Sequence, residues 1–356
     1  MTTSPSFDAS ESLRTRLNQL LDQLPQNKHG ELIQLALTTL VQMSEDEIDR
    51  LDWKILNASL QDMERAFKVL YPYRHVRKIS IFGSARIPSG TAEYQMAAEF
   101  ARRVTDLGFM VITGAGPGIM QAGNEGAGRE KSIGLGIQLP FEQGSNPFIE
   151  GDPKLVPFKY FFTRKLFFLR ESDALALFPG GFGTLDEAFE CLTLCQTGKS
   201  LPIPLVLIDR PGGDYWHDWL EYVQKQLLKR GLVSAADFSL FTITDQLDEA
   251  CNIITRFYSA FHSCRYIGNR LIMRLNIEIS DEAVDHLNRS FSDILVKGQI
   301  EKSHALPQEA QDMSVGKSRL LLHFNQRDLG RLYQMINEIN RIGIEPSEDL
   351  PRPERR

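Results

Sequence analysis

The 356-residue sequence has only four cysteines, Cys191, Cys195, Cys251 and Cys264, and none forms a CxxC pair. That scarcity excludes a disulfide framework and a zinc ribbon. Cys191 and Cys195 stand four apart in a helix-like stretch, but no neighbouring His or Cys completes a metal set, so they read as buried thiols. No apolar run reaches the roughly 18 residues needed to cross a bilayer. The opening MTTSPSFDASESLR lacks the charged-then-apolar order of a secretory signal. A cytoplasmic protein with no membrane partner is expected. Positive charge is also in deficit: 40 Lys and Arg face 46 Asp and Glu, a net charge of −6. That balance argues against a basic surface for nucleic acid, while leaving room for a local basic pocket.

Two nucleotide motifs are missing as well. The dinucleotide pattern G-x-G-x-x-G fails at Gly114-Ala115-Gly116-Pro117-Gly118-Ile119, where Ile119 replaces the third glycine. The P-loop pattern fails at Gly198-Lys199-Ser200, because Thr193 stands where its first glycine belongs. Neither NAD chemistry nor ATP hydrolysis is supported, and a mononucleotide or sugar phosphate is a better match.

The remaining composition, 42% hydrophobic and 24% charged, is that of a globular chain long enough for two or three domains. Residues 1–75 read as a helical extension. Leu13, Leu17, Leu20, Leu21 and Leu24 form one stripe, Leu32, Leu35, Leu37, Leu40 and Val41 another, and Ser44 caps a third helix through Ile48, Leu51 and Trp53. From about 76 to 260, short apolar runs alternate with amphipathic stretches. The runs are 78–82, 109–113, 132–139, 173–178, 204–208 and 240–244. This alternation predicts a Rossmann-like, doubly wound α/β domain with a parallel sheet. Residues 261–345 suggest a small α+β appendage: an alternating strand in RLIMRLNIEIS, a helix near 281–296, the strand SRLLLHF and a helix near 326–341. The charged, Pro-rich tail 346–356 reads as disordered.

In an open parallel sheet, ligands bind outside the carboxyl ends of the strands. Three strand-to-helix turns there are glycine-rich: Phe82-Gly83-Ser84-Ala85-Arg86, Thr113-Gly114-Ala115-Gly116-Pro117-Gly118 and Pro179-Gly180-Gly181-Phe182-Gly183-Thr184. Missing Cβ atoms let main-chain N–H groups approach a ligand at a helix start, where the dipole favours an anion. One such turn is matched by any tight turn with positive φ; three on one edge point to phosphate. Glu187 follows one turn into the last helix. It is either an acid/base group or the distal half of a Thr184–Glu187 capping box, and spacing alone leaves both open. Arg164 and Lys165 sit among Tyr160, Phe161, Phe162, Phe167 and Phe168. Two cations in such company are costly to desolvate unless an anion meets one, or unless both reach water at the helix edge.

PGGFGTLDE (179–187), with TRK (163–165) and TGAGPGIMQAGNEGA (113–127) upstream, resembles the LONELY GUY (LOG) family over about 76–260. Its members are Rossmann-like nucleotide phosphoribohydrolases, many of them labelled possible lysine decarboxylases. The resemblance implies hydrolysis of a purine nucleoside 5′-monophosphate, AMP or a cytokinin riboside monophosphate, to free base and ribose 5-phosphate. It implies no metal or other cofactor, and a homodimer or higher homo-oligomer. Carried residue by residue, the catalytic pair falls on Arg164 and Glu187. The phosphate cradle falls on Gly180, Gly181, Gly183 and Thr184, with Lys165, Thr193 and the Ser84 turn as further contacts; Gly114 and Gly116 belong to the adjoining glycine turn. The helical extension, the appendage and the TGAGPG turn depart from the short plant-type pattern. The competing classes are a non-catalytic nucleotide sensor or scaffold, a pyridoxal-phosphate decarboxylase, for which neither Lys165 nor Lys199 has a cofactor pattern, and a single-strand nucleic-acid binder, which lacks the basic aromatic surface.

Overall fold

The computed structural model describes residues 29–139, 144–310, 312 and 314–343, together with Thr15 and Gln19. The leucine stripe from Leu13 to Leu24 and the tail 346–356 lie outside the described residues. The chain divides into two compact units, residues 1–61 and 62–356. In the first, α1 (Gly30–Glu45) precedes α2 (Arg50–Leu70), whose last turns belong to the second unit. Ser44 does not open a helix. It lies in the last turn of α1, where its hydroxyl donates to the Val41 carbonyl at 2.7 Å, and the chain leaves the helix only at Asp46, which is extended. A serine hydroxyl that bonds back along its own helix is unavailable as a cap for the next one.

The second unit is α/β. Its strands β1 (Lys78–Phe82), β2 (Met110–Thr113), β3 (Ser132–Ile137), β4 (Leu155–Phe158), β5 (Ala174–Leu177), β6 (Leu205–Ile208) and β7 (Thr242–Thr244) form a seven-stranded parallel sheet in the order β4-β3-β2-β1-β5-β6-β7. Alternate residues face opposite ways. Met110, Ile112, Leu175, Leu177, Leu205 and Leu207 look to one side, under α5 (Phe161–Glu171), α6 (Phe182–Gln196) and α7 (Tyr215–Tyr222). Ile79, Ile81, Val111, Ala174, Ala176, Val206 and Ile208 look to the other, under α3 (Ala92–Asp106), α4 (Ile119–Lys131) and α8 (Leu247–Phe257). Burial on both faces explains why these strands read as unbroken apolar runs. This is the Rossmann-like α/β class, with a helical N-terminal part.

β4 is a strand that the alternation of runs does not announce. Its sequence, LVPF, carries Pro157, which removes a ladder donor. The strand tolerates it because β4 is at the sheet edge, pairing only with β3. The appendage also holds more strand than expected. β8 (Phe261–Ile267), β9 (Arg270–Leu275), β10 (Leu295–Ser303) and β11 (Ser318–Phe324) form an antiparallel sheet in the order β10-β11-β9-β8. α9 (Asp281–Phe291) ends five residues short of the helix expected near 281–296, and α10 (Leu329–Gly343) joins it over the core face of this sheet. β10, LVKGQIEKS, lies at the edge with most of its residues exposed and Ile300 alone buried, so it lacks the apolar alternation that marks a half-buried strand. The other face of this sheet carries a buried ionic knot, in which Glu309 accepts from Arg274 at 2.7 Å and from Arg319 at 3.0 Å.

Candidate active site

The strand order reverses between β1 and β5, which makes their carboxyl ends the switch point where open α/β sheets bind ligands. The three glycine-rich turns meet there. Ser84 N–H donates to the Pro179 carbonyl at 3.1 Å, and the Ser84 carbonyl accepts from Ile119 N–H at 3.0 Å, so one residue ties the first turn to both others. Asn146 braces the middle turn through Asn146 Nδ2 to the Gly116 carbonyl, 3.1 Å, and Asn146 N–H to the Ala115 carbonyl, 2.8 Å. Ala115 itself has φ 61°, a left-handed conformation that costs a non-glycine residue about 1 kcal/mol or more and clusters at functional sites.

The glycines of the last turn are not explained by positive φ; none of Gly180, Gly181 and Gly183 has it. A Cβ on Gly180 would lie 2.7 Å from Thr184 Cβ and 3.0 Å from Ser84 N, so this position is bare because two turns press on it. Around Gly181 and Gly183 a Cβ would meet nothing within 4 Å. Their main chain is open, at the start of α6, where first-turn N–H groups have no partner inside the helix and the dipole favours an anion. Tyr215 steadies the turn from α7, its hydroxyl donating to the Gly180 carbonyl at 2.6 Å.

The register of α6 decides between the two readings of Glu187. The helix starts at Phe182 with Gly181 as N-cap and no side-chain cap bond. Thr184 is therefore the third residue of the helix, not its cap, and the capping box does not exist. Glu187 instead turns inward. It is 6% exposed, and Oε2 has no hydrogen-bond partner among the described residues. Burial pushes its carboxyl up to about 7, against the pull of the Lys165 and Arg164 charges. A buried carboxyl balanced near neutral pH beside two cations has the properties of an acid/base group.

Arg164 and Lys165 come from the second turn of α5. Arg164 is half-buried, its guanidinium over the rings of Phe161 and Phe168 at 5.0 and 5.6 Å. Its Nη1 lies 3.7 Å from where a Gly114 Cβ would stand, so α5 and the middle turn share the cleft. Lys165 is engaged with protein carboxylates, bonding Asp186 at 2.7 Å and Glu190 at 2.5 Å. Burial works against its charge, but these two carboxylates prevail and hold its pKa above the ordinary lysine value. Thr193 is not brought to the turns. It lies nine residues beyond Thr184, about 14 Å along the helix, exposed, with its hydroxyl donating to the Phe189 carbonyl. Ser84, Gly114, Gly116, Gly180, Gly181, Gly183, Thr184, Arg164 and Glu187 do converge.

Sequence reasoning missed Asp62, fully buried on α2. Its Oδ2 accepts from Lys159 N–H at 3.0 Å, Tyr160 N–H at 3.3 Å and the Thr163 hydroxyl at 2.9 Å. It is the side-chain cap that α5 does not supply from its own Tyr160. A cap from a distant helix leaves no local motif. Cys191 and Cys195 are buried free thiols on α6, and burial pushes the Cys195 thiol up to about 11.

A family model described as possible lysine decarboxylase matches residues 120–254. A curated relative, the probable cytokinin riboside 5′-monophosphate phosphoribohydrolase LOG4 of Oryza sativa subsp. japonica, is 23% identical over 186 residues, covering 51% of this chain and 77% of the relative. Over this region the chain is similar to the LOG family. Among solved structures, the molybdenum cofactor carrier protein of Chlamydomonas reinhardtii is similar at 19% identity over 51% of this chain and 97% of that one, with a TM-score of 0.35. DNA processing protein A from Helicobacter pylori is similar at 16% identity over 52% and 81%, with a TM-score of 0.36. Scores this low carry no argument about what this domain does. No described helix is long and apolar enough to cross a membrane.

Proposed function

We propose that this chain hydrolyses the N-glycosidic bond of purine nucleoside 5′-monophosphates, AMP or a cytokinin riboside monophosphate, to free base and ribose 5-phosphate. The observation that carries this reading is Glu187: buried, released from capping, and raised to about 7 beside Arg164 at the switch point. The 5′-phosphate rests on the open amides of Gly181, Gly183 and Thr184, with the Ser84, Gly114 and Gly116 turns closing around it. Arg164 anchors the nucleotide's anionic and hydroxyl groups. As the C1′–N bond breaks, its electron pair leaves with the base and positive charge grows on the ribose. The ionised Glu187 stabilises that charge and aligns a water. The water oxygen bonds C1′ and its proton passes to Glu187, while the departing base is protonated from solvent. Lys165 holds Asp186 and Glu190 beside Glu187 and so positions it, and Thr193 has no part. A homodimer or higher homo-oligomer fits the exposed side chains Phe161, Phe162, Leu166 and Phe182 around the cleft, Phe182 being 93% exposed.

A panel of purine and pyrimidine monophosphates, read by base release, tests the reading. AMP or an N6-substituted AMP is cleaved by the wild type, and Glu187→Ala and Arg164→Ala lower turnover about 10²- to 10⁴-fold. AMP bound without base release would instead mark a nucleotide sensor.

A further inference from the structure

Three successive carbonyls of the last glycine-rich turn are tied down from three directions. Pro179 accepts from Ser84 N–H at 3.1 Å, Gly180 from the Tyr215 hydroxyl at 2.6 Å, and Gly181 from Leu185 N–H at 3.1 Å. Two of these ties join main chain to main chain, and the middle one rests on a single side-chain oxygen. In a trans peptide the N–H points opposite to the C=O. The bond that draws the Gly180 carbonyl toward α7 therefore turns the Gly181 N–H away from α7, where it meets no main-chain acceptor among the described residues.

This N–H is the one amide of the cradle that the helix does not aim. Phe182, Gly183 and Thr184 lie inside α6, and their N–H groups follow its axis. Gly181 is the N-cap, with φ −88° and ψ −156°, outside helical geometry. The peptide before it joins two glycines. A flip of that peptide carries the φ of Gly181 into the positive region, which glycine enters about as readily as the negative one. The flipped peptide presents a carbonyl oxygen to the anion site in place of a donor, and anion-binding concavities need converging N–H groups.

Tyr215 opposes this flip from a fixed position. It is the first residue of α7, its ring edge-on to Trp216 at 4.8 Å. Trp216 is fully buried, and its indole N–H donates to the Ile208 carbonyl at 3.2 Å. Burial, assisted by the charge of Asp209, raises the pKa of the Tyr215 hydroxyl above the ordinary tyrosine value, so the donor keeps its proton. Phenylalanine would pack against Trp216 as well and would lack only this bond.

We propose that Tyr215 is a positioning residue for the substrate's phosphate: its hydroxyl locks the Gly180–Gly181 peptide with the N–H toward the anion and the carbonyl away from it. The role rests on the phosphate placement of the phosphoribohydrolase reading and not on the hydrolysis itself. The test uses the full chain, wild type and Tyr215→Phe, with ribose 5-phosphate titrated against each and AMP turnover measured in parallel. Tyr215→Phe is expected to bind ribose 5-phosphate about tenfold more weakly, the loss that follows when the competent orientation falls to about a tenth of the population. KM for AMP rises by the same factor, while kcat at saturation changes less than about twofold. A tyrosine that only packed α7 against the sheet would lower the folded fraction, and so kcat, without changing KM. In the wild type labelled with ¹⁵N-glycine, the Gly181 amide signal shifts as ribose 5-phosphate binds, a readout that needs no variant. A wild type that binds ribose 5-phosphate but leaves AMP intact, with the affinity difference preserved, removes the hydrolase reading and supports the role of Tyr215. Equal affinity of the two proteins for ribose 5-phosphate, no binding by the wild type, or a Gly181 signal unmoved by bound ligand overturns the proposal.

Discussion

Asp62 accepts a hydrogen bond from the Thr163 hydroxyl at 2.9 Å, one residue before Arg164. The same carboxylate takes the N–H groups of Lys159 and Tyr160 and an ion pair from Arg65 at 2.6 Å. The start of α5, and with it the direction of Arg164, is therefore set by a residue about a hundred positions earlier in the chain.

Asp62→Ala is expected to cost about 2–4 kcal/mol, because it strands buried donors rather than removing one contact. Asp62→Asn, which keeps one acceptor oxygen, recovers part of that. Urea unfolding of the three proteins gives the order; an Asp62→Ala midpoint equal to wild type would sink the capping role.

The proposed reaction needs Glu187 ionised, so activity has a low-pH limb. In the free enzyme kcat/KM should fall as pH drops through about 7, the value to which burial raises this carboxyl. Bound phosphate adds negative charge nearby and moves the limb in kcat to higher pH. A pH–rate profile on AMP checks both. A limb near pH 4.5, the value for an unburied carboxyl, contradicts the assignment.

Glu187 also makes stability fall as pH rises. Its folded value, about 7, is above the unburied 4.5, so between those values the native state binds more protons than the unfolded chain. The penalty is absent below about pH 4.5 and complete above about 7, where 1.36 kcal/mol per pH unit makes it about 3 kcal/mol. Glu187→Gln removes the titration. The variant should therefore gain about 3 kcal/mol on wild type between pH 4.5 and 8, read by urea unfolding at each end. A difference that stays constant with pH would mean that the carboxyl is not raised.

Two glycines of the same turn should respond in opposite ways. Gly180→Ala drives a Cβ into Thr184 and the Ser84 amide, so both stability and activity fall. Gly183→Ala meets nothing within 4 Å and gains up to about 1 kcal/mol of helix stability. If the phosphate lies on these amides, that methyl group occupies its place and KM for AMP rises at least tenfold. An unchanged KM moves the phosphate elsewhere.

Most of the scaffold was legible before folding. The unbroken apolar runs ending in glycine-rich turns led to the parallel sheet and to the edge that carries the cleft, because burial on both faces and close main-chain approach each leave a local mark. β4 and β10 were not legible, since an edge strand need not be apolar on two faces, and Pro157 is tolerated only where no neighbour needs its N–H. Thr193 was placed with the cradle by motif alone, and the helix carries it about 14 Å away.

The sequence by itself determined which residues were available: the glycines at 180, 181 and 183, the Arg164-Lys165 pair, and a Glu one turn into a helix. Only the tertiary structure decided that Glu187 is an inward acid rather than a cap. That choice turned on where α6 begins, at Phe182 rather than after Thr184. The single-residue detail of a helix start comes from the packing of the turn before it, here the contact of Gly180 with Ser84 and Tyr215, and no pattern within the helix itself records it.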